Sequence, residues 1–403
     1  MIPNRRRLIQ IAATAQVVPF VAGCAGLERG APAPASMSEQ TTVLGIPNAR
    51  FWPDTQGAAL AQEGAQALRR ELAAAGDLTR GVDSLPSAYF LAVSGGGDDG
   101  AFGAGLLCGW SDSGKIPSFK LVTGVSTGAT IAPLAFLGRP YHDRLQALYT
   151  TIKPDDVAEK RGLYGALFGD ALADTTPLSH LIARYVDDQM VADIAREYGK
   201  GRLLLIGTTN LDQQRPIIWN IGAIAASARP GARELIRKIV LASAAIPGAF
   251  PPVMIDVEAG GRQDQEMNVD GGAVAQTFLY PPDIGLRVSS SIRSGRERHA
   301  YIIRNGRLDP AWASVDRRFL TIIGRAITTM IHYSGYNDIM RIYATTKRDG
   351  VDYNLAYIEA DFPATKHENF DPAYMRALFD YGYAKGLRGS WHKAPPILDA
   401  ARV

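Results

Sequence analysis

"AYFLAVSGGGDDGAFGAG" (Ala88–Gly105) is followed at Phe119–Gly128 by "FKLVTGVSTG", and the pair decides the fold class. Each stretch is an apolar run that ends in glycines and leads into a helix-forming segment. An apolar run without polar alternation fits a strand buried on both faces, as in a parallel sheet. Two consecutive strand–turn–helix units predict an α/β chain whose turns meet at one edge of the sheet, where sites of open α/β folds form. The alternation continues downstream. "GRLLLIGTTN" (Gly201–Asn210), "QRPIIWNIG" (Gln214–Gly222) and "RHAYIIRN" (Arg298–Asn305) read as strands. Helices are expected from Ala101, from Thr127 to about Leu137, in "GARELIRKIVLASAA" (Gly231–Ala245) and in the long run after Arg317. Residues 56–75 show helical spacing, with Gly76 as a stop. No internal repeat and no second domain is visible, so one domain over 56–403 is expected, with its core at about 88–305.

With 403 residues and 46% hydrophobic content, the chain can bury a sizeable core. Its 43 basic and 40 acidic residues leave a charge of +3, and that excess sits in Arg5, Arg6 and Arg7. Beyond residue 23 the two signs balance, so no electrostatic footprint for nucleic acid is present and no nucleic-acid partner is expected.

"NRRRLIQ" is a basic n-region, Leu8–Phe20 a short apolar stretch, and "VAGC" (Val21–Cys24) a small-residue cleavage site ending in cysteine. This resembles a bacterial lipoprotein signal covering residues 1–23. It implies lipidation at Cys24 and a membrane-anchored, periplasm-facing location in the bacterial cell envelope. The Ala-, Pro- and Gly-rich residues 24–55 then read as a tether. The remaining cysteine, Cys108, lies in the apolar "GAGLLCGW" and reads as a buried small hydrophobe.

Gly95, Gly97 and Gly100 satisfy a dinucleotide-binding fingerprint, but the next strand ends "VTGVS" without the acid that would hold a ribose. A phosphate would also face Asp98 and Asp99. "GWSDSGKI" (Gly109–Ile116) has P-loop spacing, yet Ile116 replaces the Mg²⁺-binding hydroxyl, so it reads as a turn. "GVSTG" (Gly124–Gly128), between a strand and a helix, fits a nucleophile elbow that lifts Ser126 clear of the backbone. A serine nucleophile needs a base. The six histidines (His142, His180, His299, His332, His367, His392) lie in no catalytic-looking turn. Asp270, in "NVDGG", can act as base if its carboxylate reaches the serine; by itself the tripeptide also fits an ordinary turn.

The glycine loop, "GVSTG", "ASAAIPGAFPPV" (Ala242–Val253) and "DGG" occur in this order and together resemble the patatin-like phospholipases. The resemblance covers roughly residues 88–280. It implies a three-layer α/β/α sandwich with a mainly parallel sheet, and hydrolysis of lipid acyl esters, phospholipids included, by a Ser–Asp dyad without a metal ion or other cofactor. Carried over, Ser126 is the nucleophile, Asp270 the base, and the N–H groups of Gly95, Gly96 and Gly97 the oxyanion hole, each such donor supplying about 3–4 kcal/mol.

The chain departs from the family at one position. The family loop commonly reads G-G-G-x-R/K-G, and here the basic position is Asp99. Backbone donors could still work if Asp98 and Asp99 pointed to solvent or to a helix N-terminus. Two rival readings remain, a Ser–His–Asp esterase and a non-catalytic patatin-like protein that binds lipid or another protein. The long helix after Arg317 and "FDPAYMRALFDYGYAKGL" (Phe370–Leu387) are expected to pack on the core.

Overall fold

The computed structural model describes residues 29–76, 81–160, 170–285 and 295–396, so Cys24 and the signal segment lie outside the described residues. The principal elements, in chain order, are β1 (Arg50–Phe51), α1 (Gly57–Ala74), β2 (Ala88–Val93), α2 (Gly100–Asp112), β3 (Leu121–Val125), α3 (Thr127–Leu137), α4 (His142–Thr150), α5 (Thr176–Tyr185), α6 (Asp188–Gly199), β4 (Leu203–Asn210), β5 (Arg215–Asn220), α7 (Ile221–Ala226), α8 (Ala232–Ser243), β6 (Val253–Ala259), β7 (Arg262–Asp270), β8 (Arg298–Arg304), α9 (Phe319–Asp349), β9 (Asp352–Tyr357) and α10 (Pro372–Arg388).

The strands form one sheet in the order β1-β5-β4-β3-β2-β8-β9. β4, β3, β2, β8 and β9 are parallel, while β5 and β1 close one edge antiparallel. Leu91, Val93, Leu204, Ile206 and Ile303 are fully buried because helices cover both faces. α2, α3, α5, α6, α8 and α10 build the larger core on one side. On the other side, Ile339 and Ile342 of α9 and Leu60 of α1 pack against the sheet. This is the three-layer α/β/α sandwich with a mostly parallel sheet.

α10 lies on α2 with backbones almost in contact. A Cβ on Gly105 or Gly109 would come within 2.0 Å of the carbonyl oxygen of Phe379 or Tyr383. Gly382 and Gly386 are equally tight against Phe102 and Leu106. The aromatic segment after Phe370 therefore packs on the core as expected, through small-residue faces.

Register brings two distant segments together. β3 pairs with β4 up to Val125, opposite Gly207. β3 stops there and β7 takes its place beside β4, with Asp270 opposite Thr208. The end of β7 thus continues the line of β3 from the opposite direction.

The structure corrects the tether reading in its described part. Residues 29–55 do not hang free, because Val43, Ile46, Phe51 and Trp52 are buried and β1 pairs with β5. An Ala- and Pro-rich composition looks like a linker, but its few large apolar residues are what the domain needs to cover its sheet edge. The core expected to begin near residue 88 accordingly extends to both sides, and β9 beyond residue 305 completes the sheet.

Candidate active site

Ser126 sits between β3 and α3 at φ 56°, a left-handed conformation that a non-glycine residue adopts only under constraint. The flanking glycines make the bend possible. A Cβ on Gly124 would meet the Gly128 oxygen at 2.3 Å, and one on Gly128 would meet the Val93 oxygen at 2.2 Å. The backbone N–H of Ser126 donates to Ser243 Oγ (3.0 Å), and Ser243 donates on to the Gly207 carbonyl (2.6 Å).

Asp270 ends β7, buried and close enough to the Ser126 hydroxyl for the serine to stabilise its carboxylate. Gly272 N–H donates to Asp270 Oδ1 at 2.7 Å, and Asp270 N–H donates to the Ala245 carbonyl at 2.9 Å. Burial pushes the Asp270 carboxyl up to about 7, against the opposing pull of the Ser126 hydroxyl and the Gly272 N–H. Near neutral pH it can therefore both accept and return a proton. Ser243 and Ala245 give the "ASAAIPGAFPPV" segment a physical role, since one braces the serine turn and the other the aspartate. No spacing rule in the sequence pointed to either.

The glycine loop passes directly over this pair. A Cβ on Gly95 would lie 3.1 Å from Ser126 Cβ, and one on Gly96 would strike the Asn305 carbonyl at 2.1 Å. Gly95 differs from the expectation in one respect: its N–H already donates to the Gln276 carbonyl at 2.9 Å. Among the described residues, Gly96 and Gly97 N–H have no such backbone acceptor. Asn305 holds the loop from beneath. Its N–H donates to Ser94 Oγ, its Nδ2 donates to the Ser94 carbonyl, and its Oδ1 accepts from Gly103 N–H.

Asp98 and Asp99 point neither to solvent nor into a helix cap. Lys366 Nζ donates to Asp98 Oδ1 and Phe370 N–H to Asp98 Oδ2, both at 2.8 Å. Tyr374 Oη donates to Asp99 Oδ1 at 2.7 Å. Burial pushes the Asp99 carboxyl up to about 6, while the bond from Tyr374 and the charges of Lys366 and Arg304 oppose the rise. The Arg304 guanidinium is buried under the loop and donates from Nη1 to the Gly95 carbonyl at 3.2 Å. Positive charge is therefore supplied from β8 and from the segment before α10, and not from the loop itself.

Three of the histidines lie elsewhere. His299 faces Asp352 (3.1 Å) at the amino end of β8, the sheet edge opposite Ser126, and His392 contacts Glu359 (3.0 Å). His142 lies 3.8 Å from Asp112. Cys108 is buried and its thiol is pushed up to about 12, which leaves it inert as a nucleophile.

Ser126 and Gly97 line a cavity of about 80 Å³ whose remaining wall is almost wholly apolar, including Pro133, Leu148, Leu178, Ile182 and Met190. A wall of this character suits an aliphatic group.

No curated protein matches this chain. A solved structure, that of VipD from Legionella pneumophila, aligns with 11% identity over 76% of this chain and 68% of that one, at a TM-score of 0.37. Residues 91–281, which run from β2 through the loop after Asp270, match the family model of the patatin-like phospholipases. The protein carries a patatin-like phospholipase domain.

Proposed function

We propose that the protein is a serine acyl hydrolase that cleaves carboxylic esters of lipids, anchored in the bacterial cell envelope through acyl chains on Cys24. The placement of Ser126 beside a buried Asp270, at the wall of an apolar cavity, carries this reading. Asp270 removes the Ser126 proton as Oγ attacks the ester carbonyl. Gly96 and Gly97 N–H face the oxyanion of the tetrahedral intermediate. Its collapse expels the alcohol, which takes the proton back from Asp270 and leaves an acyl-serine. A water molecule, deprotonated by Asp270, attacks the acyl carbon, and the proton returns to Ser126 as the acid leaves. The acyl chain occupies the cavity, so chain length is read by its apolar wall.

Ser126→Ala and Asp270→Asn each abolish hydrolysis of a p-nitrophenyl ester, and the wild type labels with a fluorophosphonate. His299→Ala and His332→Ala retain activity. A dead histidine variant beside an active Asp270→Asn would sink the dyad. A wild type that neither hydrolyses nor labels would leave a lipid- or protein-binding role.

A further inference from the structure

α9 is longer than the sheet it covers. β8, from Arg298 to Arg304, spans about 20 Å, and the part of α9 from Gly335 to Asp349 spans about 22 Å, so that part alone matches the sheet. The helix runs opposite to β8. Asp349 accepts from Tyr280 Oη (3.0 Å) and β9 then begins opposite His299, so this end of α9 lies at the amino edge of the strands. At the other end, Gly335 packs on the Arg304 guanidinium, which bonds to Gly95 in the glycine loop. Phe319 to Ser334 therefore continue past the carboxyl edge, beside the candidate active site, for about 24 Å.

That overhang is apolar without being covered. Phe319 is 76% exposed and Met330 71%, with Ile322, Ile323 and Ile327 also exposed, and Trp312 just before the helix is 89% exposed. Phe319, Ile322, Ile323, Ile327 and Met330 share one face, with Thr321, Arg325, Thr328, Thr329 and His332 opposite, so the overhang carries an apolar stripe without the packing that stabilises most helices. From Arg317 to Asn337 the sequence contains Arg317, Arg318 and Arg325 and no acidic residue. Exposed Trp and Ile beside arginines is the composition of an interfacial helix. No helix among the described residues is long and apolar enough to cross a membrane, so the matching occupant is a bilayer surface.

The start of the described chain lies at the same edge. β4 ends at Asn210, and in the turn that follows Asp212 pairs with Arg29 at 2.8 Å. Cys24 precedes Arg29 by a stretch that reaches at most about 18 Å when extended. An anchor at Cys24 would hold this edge, and no other, against the leaflet.

We infer that the α9 overhang docks on an anionic lipid bilayer and presents the mouth of the site to the membrane. This rests on the lipid-hydrolase reading for its purpose, but the docking is measurable without catalysis. The full chain carrying Cys24→Ser, which removes the anchor, is co-sedimented with phosphatidylcholine vesicles with and without phosphatidylglycerol. Binding is expected to both and to be stronger with phosphatidylglycerol, and Ser126→Ala should bind equally. Phe319→Asp combined with Ile323→Asp and Met330→Asp should weaken vesicle binding at least about tenfold, while hydrolysis of a soluble short-chain ester is unchanged. Undiminished vesicle binding by the triple variant overturns the inference. So does a wild type that elutes as a dimer, binds no vesicle and becomes monomeric in the triple variant, since the occupant is then a second copy. Loss of ester hydrolysis in the wild type, with vesicle binding intact, counts against the hydrolase reading alone.

Discussion

Asp98 and Asp99 lie in the glycine loop beside Ser126, and both are matched by groups outside residues 91–281. Lys366 bonds Asp98, Tyr374 bonds Asp99, and Arg304 bonds the Gly95 carbonyl. A cation on that carbonyl polarises the peptide whose N–H belongs to Gly96, which strengthens it as a donor. Arg304→Gln should therefore lower kcat by about tenfold with little change in KM, because the donor acts on the transition state. Lys366→Met leaves the buried Asp98 carboxylate without its cation and frees the loop. It should lower both kcat and Tm, and Lys366→Arg should restore them. Asp270 has its own pH signature. As a base it must be ionised, so kcat/KM should fall about tenfold per unit below an acid limb near pH 7. The same raised pKa makes ionised Asp270 a burden on the fold. That burden is absent below the unfolded value near 4, grows as pH rises, and is complete above about 7. Asp270→Asn should melt above wild type at pH 8, and the gap should close towards pH 4; an equal gap at both would contradict a buried carboxylate.

The α2–α10 contact shows why some elements were legible in sequence and others were not. The glycines of "GAFGAGLLCGW" are visible as a motif, but their partners in "FDYGYAKGLRG" lie nearly three hundred residues away. Periodicity reports a helix's own face and is silent on which helix meets it. Gly386→Ala tests the contact, since a methyl there meets the Leu106 carbonyl at 2.1 Å. Overpacking of this kind costs about 1–3 kcal/mol, so the urea midpoint should fall despite the better helix propensity of alanine. The same limit applied elsewhere. β2, β3, β4 and β8 announced themselves as apolar runs, and Ser126 and Asp270 through motifs tied to tight backbone turns. The β6–β7 hairpin did not, because charged residues such as Asp256, Asp264 and Glu266 interrupt its pattern. Ser243, Asn305 and Gln276 act through hydrogen bonds that no spacing rule encodes. In α9 the sequence run was correctly helical, yet helical periodicity cannot say where the supporting sheet ends.

The family match stops at residue 281, while the sheet and the site do not. β8 and β9 follow it, and β1 with the preceding strap comes before it. The strap contributes more than apolar cover. Arg50 pairs with Glu266 on β7 at 2.5 Å and also donates to Thr41, and Asn210 Nδ2 donates to Glu266 at 3.0 Å. Both partners of the Arg50–Glu266 pair are buried, so β7, which carries Asp270, is fixed to the sheet by a charge that arrives from residue 50. Removing one partner of such a pair costs about 3–5 kcal/mol, because the other charge stays buried and unpaired. Arg50→Ala should accordingly shift urea unfolding by that amount and weaken ester hydrolysis through a displaced Asp270. A chain beginning at Gln56 should lose Trp52 and β1 as well, and should not give a soluble folded protein. A free linker predicts the reverse: Arg50→Ala within about 0.5 kcal/mol of wild type, as for surface changes in general, and a shortened chain of unaltered stability. Circular dichroism and urea titration of the two variants separate these outcomes directly.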